Sequence, residues 1–176
     1  KANIFNEEFD PDYITEIIDG CNANIIFVED RKYEKLKLNL LFEEFEKRGL
    51  IYCPNGEWGK WQTHSAMLPT PLIKDDVLRI YLGMCDSNNV GRIGYIDVEP
   101  KNPSKIINVS QKPVLDIGED GCFDDNGVVP ISILEVDKKI YLYYIGFQLG
   151  VKIPYYMFCG LAISEDGGES FYRYSK

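Results

Sequence analysis

The stretch Gly121–Phe147, GCFDDNGVVPISILEVDKKIYLYYIGF, decides how this chain of 176 residues is interpreted. It opens with two adjacent carboxylates, Asp124 and Asp125, in a turn flanked by glycines. Two β-rich segments follow, Val128–Val136 and Ile140–Phe147, and a short polar turn joins them. The second segment is so rich in aromatic and β-branched residues that it favours a strand. An acidic loop that leads into a buried strand pair is a common way for a sheet to present a carboxylate to a ligand.

The composition limits the class of partner. Hydrophobic residues make up 45% of the chain and aromatic residues 13%, which is enough for a packed core. The net charge of −9 argues against nucleic acid or an anionic membrane as the main partner. No apolar run approaches the length of a membrane span, and the first residues do not form a signal peptide.

The cysteine pattern predicts neither disulfides nor a metal site. The five cysteines are widely spaced: Cys21, Cys53, Cys85, Cys122 and Cys159. An odd number at these spacings gives no disulfide framework and no zinc motif. We expect free thiols, most of them buried, in a protein of the reducing cytoplasm, with no metal and no cofactor.

Residues 1–48 differ from the rest of the chain. Their pattern predicts a helix at Asp12–Asp19, a strand at Asn24–Asp30 and a second helix at Tyr33–Arg48. This αβα piece is too small for a core of its own. We interpret it as an N-terminal appendage or the tail of a preceding domain, with a β domain over residues 49–176.

An internal repeat predicts the architecture of the β domain, which we expect to begin with a short strand at Leu50–Cys53. The segment Met67–Gly83 parallels Val128–Gly146, and Gly91–Glu99 parallels Met157–Glu165. Each repeat supplies four strands, which is the content of one β-propeller blade. A β-sandwich with chance similarity is the alternative. The propeller interpretation predicts two four-stranded antiparallel sheets with the same connectivity.

A turn motif also favours blades. Residues 164–171, SEDGGESF, fit the Asp-box pattern S-x-D-x-G-x-[ST]-[FW]. This resembles the motif that forms the hairpin between the third and fourth strands of a blade in sialidases and related propellers. We therefore expect Asp166 to satisfy turn amides here and to have a structural role.

Residues 49–176 resemble the five-bladed β-propeller glycosidases, the superfamily of arabinanases, β-xylosidases, invertases and mannoside phosphorylases. The nearest likeness is to uncharacterised glycosidase-like proteins of bacterial polysaccharide gene clusters. Five segments carry the resemblance: His64–Leu72, Leu78–Asn89, Gly121–Pro130, Tyr143–Phe147 and Pro154–Phe171. The resemblance implies a partial five-bladed propeller of about two blades and a carbohydrate partner. It implies a glycoside hydrolase in surface polysaccharide metabolism or, as the alternative, a non-catalytic propeller that binds glycans or acts as a scaffold.

The resemblance also nominates catalytic residues. Glycoside hydrolysis needs two carboxylates about 5–9 Å apart. The candidates are Asp124, Asp125 and Asp86, although the Asp124–Asp125 pair could instead form a turn. Catalytic relatives usually carry an acid on the first inner strand, but Ala66–Thr70 has none. We therefore expect no turnover from this chain alone.

Four further residues are candidates for substrate binding. His64 is the only histidine, and Trp61 precedes the first inner strand. Arg92 follows the loop that contains Asp86. Tyr144 lies in the strand pair that follows Asp124 and Asp125. For His64, Trp61 and Tyr144 a purely structural role in packing is the alternative.

Two blades do not close a ring and leave open sheet edges. We expect either that the sequence is a fragment of a longer protein or that copies associate through these edges as a homo-oligomer.

Overall fold

The computed structural model describes residues 49–175, which contain eight strands and no helix. The helices and the strand predicted for residues 1–48 lie outside the described residues. No helix in the described range is long and apolar enough to cross a membrane. The strands are β1 His64–Lys74, β2 Val77–Cys85, β3 Gly91–Glu99, β4 Asn102–Val109, β5 Val128–Val136, β6 Lys139–Leu149, β7 Tyr155–Ser164 and β8 Tyr172–Arg173.

The strands form two four-stranded antiparallel sheets, in the orders β1-β2-β3-β4 and β5-β6-β7-β8. We call them blade 1 and blade 2. Their identical connectivity confirms the prediction from the repeat and is that of two blades of a partial β-propeller. The predicted strand at Leu50–Cys53 is wrong, because these residues pair with neither sheet. A segment without a neighbour that accepts its backbone hydrogen bonds does not form a strand.

The connections lie at two opposite ends of the blades. At the turn end, two-residue turns close the β1–β2 and β5–β6 hairpins. Asp75, Asp137 and Lys138 have positive φ values of 50°, 51° and 65° in these turns, as tight hairpins require. At the loop end lie the β2–β3 loop (residues 86–90), the β4–β5 connection (residues 110–127) and the starts of β1 and β5.

A hydrophobic core cluster lies between the two blades. Because side chains alternate between the two faces of each strand, one set of side chains of blade 1 packs against one set of blade 2. The cluster of buried residues joins Tyr81, Ile93 and Tyr95 of blade 1 with Val128, Ile140, Leu142, Tyr144 and Ala162 of blade 2, and includes Val114, Leu115 and Phe171 from the connections.

The Asp-box forms the predicted hairpin between β7 and β8. Asp166 accepts hydrogen bonds from the backbone amides of Glu169 and Ser170, both at 3.0 Å, and from the hydroxyls of Ser164 and Ser170. Burial would raise the pKa of Asp166, but these hydrogen bonds outweigh it and lower the pKa to about 2. Its role is structural, as the sequence predicts.

The Asp-box hairpin also docks onto blade 1. We call the contact the inter-blade clasp, formed by Lys74, Arg79 and Tyr81 of blade 1 with Gly167–Glu169 of blade 2. Arg79 donates to Glu169 at 2.7 Å, Lys74 donates to the Gly167 carbonyl at 2.7 Å, and Tyr81 donates to the Gly168 carbonyl at 3.2 Å.

Arg79 is the centre of the clasp. Its guanidinium donates to both oxygens of Asp97, at 2.7 and 2.9 Å, and lies over the ring of Tyr95, 3.6 Å from the centroid. Arg79 and Asp97 are both buried, so each charge depends on the other for compensation. Burial would raise the pKa of Glu169, but the hydrogen bonds from Tyr95 and Arg79 lower it.

The four described cysteines are all free. Cys85 is buried and burial raises the pKa of its thiol, whereas Cys53 and Cys159 are exposed. The prediction that most thiols are buried is therefore wrong. Cys159 lies in the first half of β7, where every side chain from Tyr155 to Cys159 is exposed.

Candidate functional site

Five charged side chains form a connected network at the loop end, spanning both blades. We call it the charged network: Asp86, Arg92, Asp116, Asp124 and Arg173. Asp86 follows β2, Arg92 is the second residue of β3, Asp116 and Asp124 lie in the β4–β5 connection, and Arg173 ends β8. The antiparallel order brings these positions, distant in sequence, to the same region.

Arg92 bridges two carboxylates at the more exposed side of the network. It donates from Nη1 to Asp86 at 2.9 Å and from Nε to Asp116 at 2.8 Å. Burial would lower the pKa of Arg92, but these two hydrogen bonds raise it. The Asp116 side chain is 62% exposed, so this part of the network is open to solvent.

Asp86 is held in one orientation. Its carboxylate accepts hydrogen bonds from the amides of Asn88 and Val90, at 2.8 and 3.0 Å, besides the one from Arg92. Burial would raise the pKa of Asp86, but the Val90, Arg92 and Asn88 hydrogen bonds lower it. Asp86 is thus an ionised acceptor, which is unlike the protonated acid of a glycosidase.

Asp124 occupies the buried side of the network. Its Oδ2 accepts hydrogen bonds from Arg173 Nε at 2.7 Å and from the Tyr144 hydroxyl at 2.9 Å. Arg173 also donates to the Asp116 carbonyl at 2.6 Å, which links the two sides. Burial and the hydrogen bond to Asp124 raise the pKa of Tyr144. Asp124 and Tyr144 are 0% and 1% exposed, so neither side chain faces solvent.

Two glycines make the space that Asp124 fills. A Cβ atom at Gly118 would lie 2.1 Å from Asp124 Oδ1, and one at Gly146 would lie 2.4 Å from Asp124 Cβ. Oδ1 is buried and has no hydrogen-bond partner among residues 49–175. The carboxylate is therefore enclosed by backbone and aromatic neighbours, which fixes its position and withholds it from a ligand.

Asp125 has a different role from its neighbour. It accepts hydrogen bonds from the Gly121 amide, at 2.8 Å, and from the side chain of Asn126. Asp124 points into the core while Asp125 stabilises the turn, so the adjacent carboxylates do not share one ligand position.

His64 and Trp61 lie outside the charged network. His64 pairs with Cys85 at the loop end, and Cys85 directly precedes Asp86 in the sequence. The Nδ1 atom of His64 lies 2.9 Å from Ser65 Oγ. Trp61 donates to the Trp58 carbonyl at 3.1 Å, and its ring lies against the backbone of Gly94.

The inner strand β1 is irregular next to His64. Its register with β2 shifts twice, between His64 and Met67 and between Met67 and Thr70. Ser65 and Leu68 have positive φ values of 65° and 49°, which non-glycine residues rarely adopt. Bulges and strained backbone of this kind are over-represented beside functional sites.

The structure brings together four of the seven predicted site residues: Asp86, Arg92, Asp124 and Tyr144. Asp125 belongs to the turn, and His64 and Trp61 stand apart. Sequence reasoning missed Asp116 and Arg173. The signal for Arg173 is a basic residue between aromatic ones in the last strand, and the signal for Asp116 is an acid directly after the apolar pair Val114-Leu115.

The network supplies hydrogen-bond donors and acceptors in fixed places. Among residues 49–175, no group of three or more His, Cys, Asp or Glu side chains is placed to hold a metal ion. Guanidinium and carboxylate groups side by side can bind a neutral polyol through its hydroxyls. The arrangement therefore suits recognition of a polar, uncharged ligand.

Comparison with known proteins gives three sequence relatives of note. The uncharacterised proteins MT1551 and Rv1502, from two strains of Mycobacterium tuberculosis, are each 38% identical over 132 residues. The match covers 74% of this chain and 44% of each relative. A beta-1,2-mannobiose phosphorylase of Thermoanaerobacter sp. is 35% identical over 91 residues, 48% of this chain and 29% of that protein. The chain thus spans less than half the length of the curated relatives it matches.

No protein-family model matches the chain. Among solved structures, Zg3597, a family 117 glycoside hydrolase of Zobellia galactanivorans, has a TM-score of 0.56 at 18% identity, covering 74% of this chain and 37% of that one. A glycosyl hydrolase of Bacteroides ovatus has a TM-score of 0.52 at 11% identity, covering 70% and 38%. At these identities the likeness shows a shared fold, and the two blades have the fold of part of a glycoside hydrolase.

Proposed function

We propose that this chain is part of a glycosidase-like, carbohydrate-active protein and that the open side of its charged network binds a glycan. The fold is shared with glycoside hydrolases. Part of the chain is also similar to an enzyme whose name specifies a β-1,2-linked mannoside. We extend the proposal to the complete protein, as a five-bladed propeller of surface polysaccharide metabolism in the bacterial cytoplasm.

The observation that carries the proposal is the bridge from Asp86 through Arg92 to Asp116. Both carboxylates lie within 2.9 Å of the same guanidinium. A carboxylate beside a guanidinium offers acceptors and donors at the spacing of adjacent sugar hydroxyls. The 62% exposure of Asp116 leaves that edge accessible.

Binding is better supported than hydrolysis for the residues of this chain. Hydrolysis needs a protonated carboxyl and a second, ionised carboxylate on opposite sides of the sugar. Asp124 is buried and Asp125 belongs to a turn, so neither can take one of these positions. An enzyme would need a further carboxylate from outside the charged network, and a non-catalytic glycan binder is the second candidate.

The test is calorimetric titration of the chain with β-1,2-mannobiose and a panel of related disaccharides. We expect Asp116→Asn to weaken the binding about 10-fold, equivalent to about 1.4 kcal/mol. The matched control is Lys139→Gln, which removes an exposed ion pair with Glu165 at the turn end. Aryl glycosides of the same sugars test turnover, and we expect none.

Two outcomes would contradict the proposal. Equal affinities of Asp116→Asn and the parent chain would remove the network from the binding site. Turnover of an aryl glycoside that Asp86→Asn abolishes would make the chain itself catalytic.

A further inference from the structure

Blade 2 has one face that no described residue covers. Side chains of β6 and β7 alternate, so Ile140, Leu142 and Tyr144 enter the core against blade 1. The opposite side chains form what we call the outer face of blade 2: Tyr143, Ile145, Phe147, Met157, Cys159 and Leu161. Tyr143 is 41% exposed and Met157 62% exposed. None of these six side chains is charged, in a protein with a net charge of −9.

The internal repeat identifies the counterpart of this face in blade 1. The two-residue turns align Val77 with Lys139, because each residue begins the second strand of its hairpin. Tyr81 then corresponds to Tyr143. By the same alignment Gly83 corresponds to Ile145. Gly83 pairs with Ile93 and Ile145 pairs with Cys159, so Ile93 corresponds to Cys159.

The corresponding face of blade 1 is a packing surface. Tyr81 and Ile93 are both 0% exposed, because blade 2 covers them. The Tyr81 hydroxyl also donates to a carbonyl of the Asp-box hairpin of blade 2. Positions that are buried between blades in the first repeat are therefore open to solvent in the second.

We propose that the outer face of blade 2 is the docking surface of a further four-stranded blade that lies outside these 176 residues. This blade packs on blade 2 as blade 2 packs on blade 1, and its last hairpin offers a backbone carbonyl to the Tyr143 hydroxyl. The curated relatives are more than twice as long as the part that this chain matches, which leaves length for further blades. An uncovered face of neighbouring apolar side chains is typical of an interface. The proposal does not depend on glycan binding.

Thiol labelling tests the proposal directly, since Cys159 lies on the outer face and Cys53 is an exposed thiol outside both sheets. We would label the chain with a maleimide and follow both cysteines by mass spectrometry. A chimera in which this chain replaces the matched 132 residues of the Mycobacterium tuberculosis relative supplies the missing blades. We expect Cys159 to react as fast as Cys53 in the chain alone and at least about 10-fold more slowly in the chimera, with Cys53 unchanged. Tyr143→Lys in the chimera is expected to restore labelling of Cys159.

Several results would overturn the proposal. Equal reactivity of Cys159 in the chain and in a folded chimera would show that no blade covers the face. If the chimera does not fold, the remainder of the relative is co-expressed as a separate chain, and failure of that chain to protect Cys159 counts equally against the proposal. Protection that grows with the concentration of the chain alone would assign the face to a second copy. Protection at every concentration would assign it to residues of the same chain.

Discussion

At the scale of single residues, Asp124 and Arg173 show how strongly a buried charge depends on its partner. Asp124 is enclosed between Gly118 and Gly146, and Arg173, whose side chain is 22% exposed, supplies the only cation in contact with it among the described residues. The pair joins the connection after blade 1 to the last strand of blade 2. Its contribution is structural, although it belongs to the network that we propose for glycan binding.

We expect Arg173→Met to lower the free energy of unfolding by about 3–5 kcal/mol, because it leaves a buried carboxylate unpaired. Adding Asp124→Asn to that variant is expected to recover part of the loss, since the uncompensated charge disappears. Urea unfolding measures both effects. Lys139→Met, which breaks the exposed pair with Glu165, is the control and should cause no measurable change. Equal losses in Arg173→Met and Lys139→Met would contradict this account.

The partners of these residues could not be read from the sequence. Arg92 and Asp86 are six residues apart and flank one loop, so their proximity is predictable. Arg173 lies 49 residues from Asp124 and 57 from Asp116, and only the packing of blade 2 on the connection brings them together. Whether Asp124 or Asp125 points inward depends on the turn geometry, which the sequence DD leaves open.

At the scale of elements, the Asp-box turn is held by hydrogen bonds between residues of the turn itself. Because the folded-state pKa of Asp166 is about 2, below the ordinary value of 3.8, the folded hairpin favours the ionised carboxylate. The stability from this preference is complete above about pH 5 and is lost as the pH falls through 3.8 toward 2.

We therefore expect Asp166→Asn to lower stability more at pH 7 than at pH 3. Urea midpoints of the parent chain and the variant at the two pH values give the comparison. Asp76→Asn, which removes a carboxylate from the exposed β1–β2 turn, is the matched control, and the difference between the two variants isolates the contribution of the Asp166 hydrogen bonds. Parallel pH dependences of the parent chain and Asp166→Asn would mean that the Asp166 hydrogen bonds contribute nothing.

The second sheet's first hairpin was predictable from the sequence. Alternating β-branched and aromatic residues on either side of a short polar turn give the bounds of β5 directly and those of β6 to within two residues. The irregular half of β1 was not predictable, because nothing in the residues HSAMLPT indicates that Ser65 and Leu68 adopt positive φ. A bulge depends on what the neighbouring strand requires, and one segment of sequence does not contain that information.

At the scale of the whole molecule, the inter-blade clasp determines whether the two blades unfold together. Arg79 pairs with Asp97 within blade 1 and with Glu169 of blade 2, so its loss affects both the first sheet and the contact. The Tyr81 hydroxyl affects the contact alone.

We expect Arg79→Met to cost about 3–5 kcal/mol, because Asp97 would remain buried without its partner. Tyr81→Phe is expected to cost about 0.5–1.5 kcal/mol, the contribution of one hydrogen bond. Thermal unfolding followed by calorimetry measures both variants, and a single transition is expected in the parent chain. Separate transitions for the two blades in the parent chain would show that the clasp does not couple them.

The clasp also has a consequence for the order of events during synthesis. The residues that complete it are 87 to 93 positions downstream of their partners in blade 1. At about 5–20 residues per second, translation needs on the order of 5–20 s to produce them after the first hairpin has emerged. During that interval the nascent first sheet carries Tyr81 and Tyr95 without the surface that later covers them. Chaperone capture of the nascent chain should therefore be concentrated in this window and end when residues 167–169 leave the ribosome.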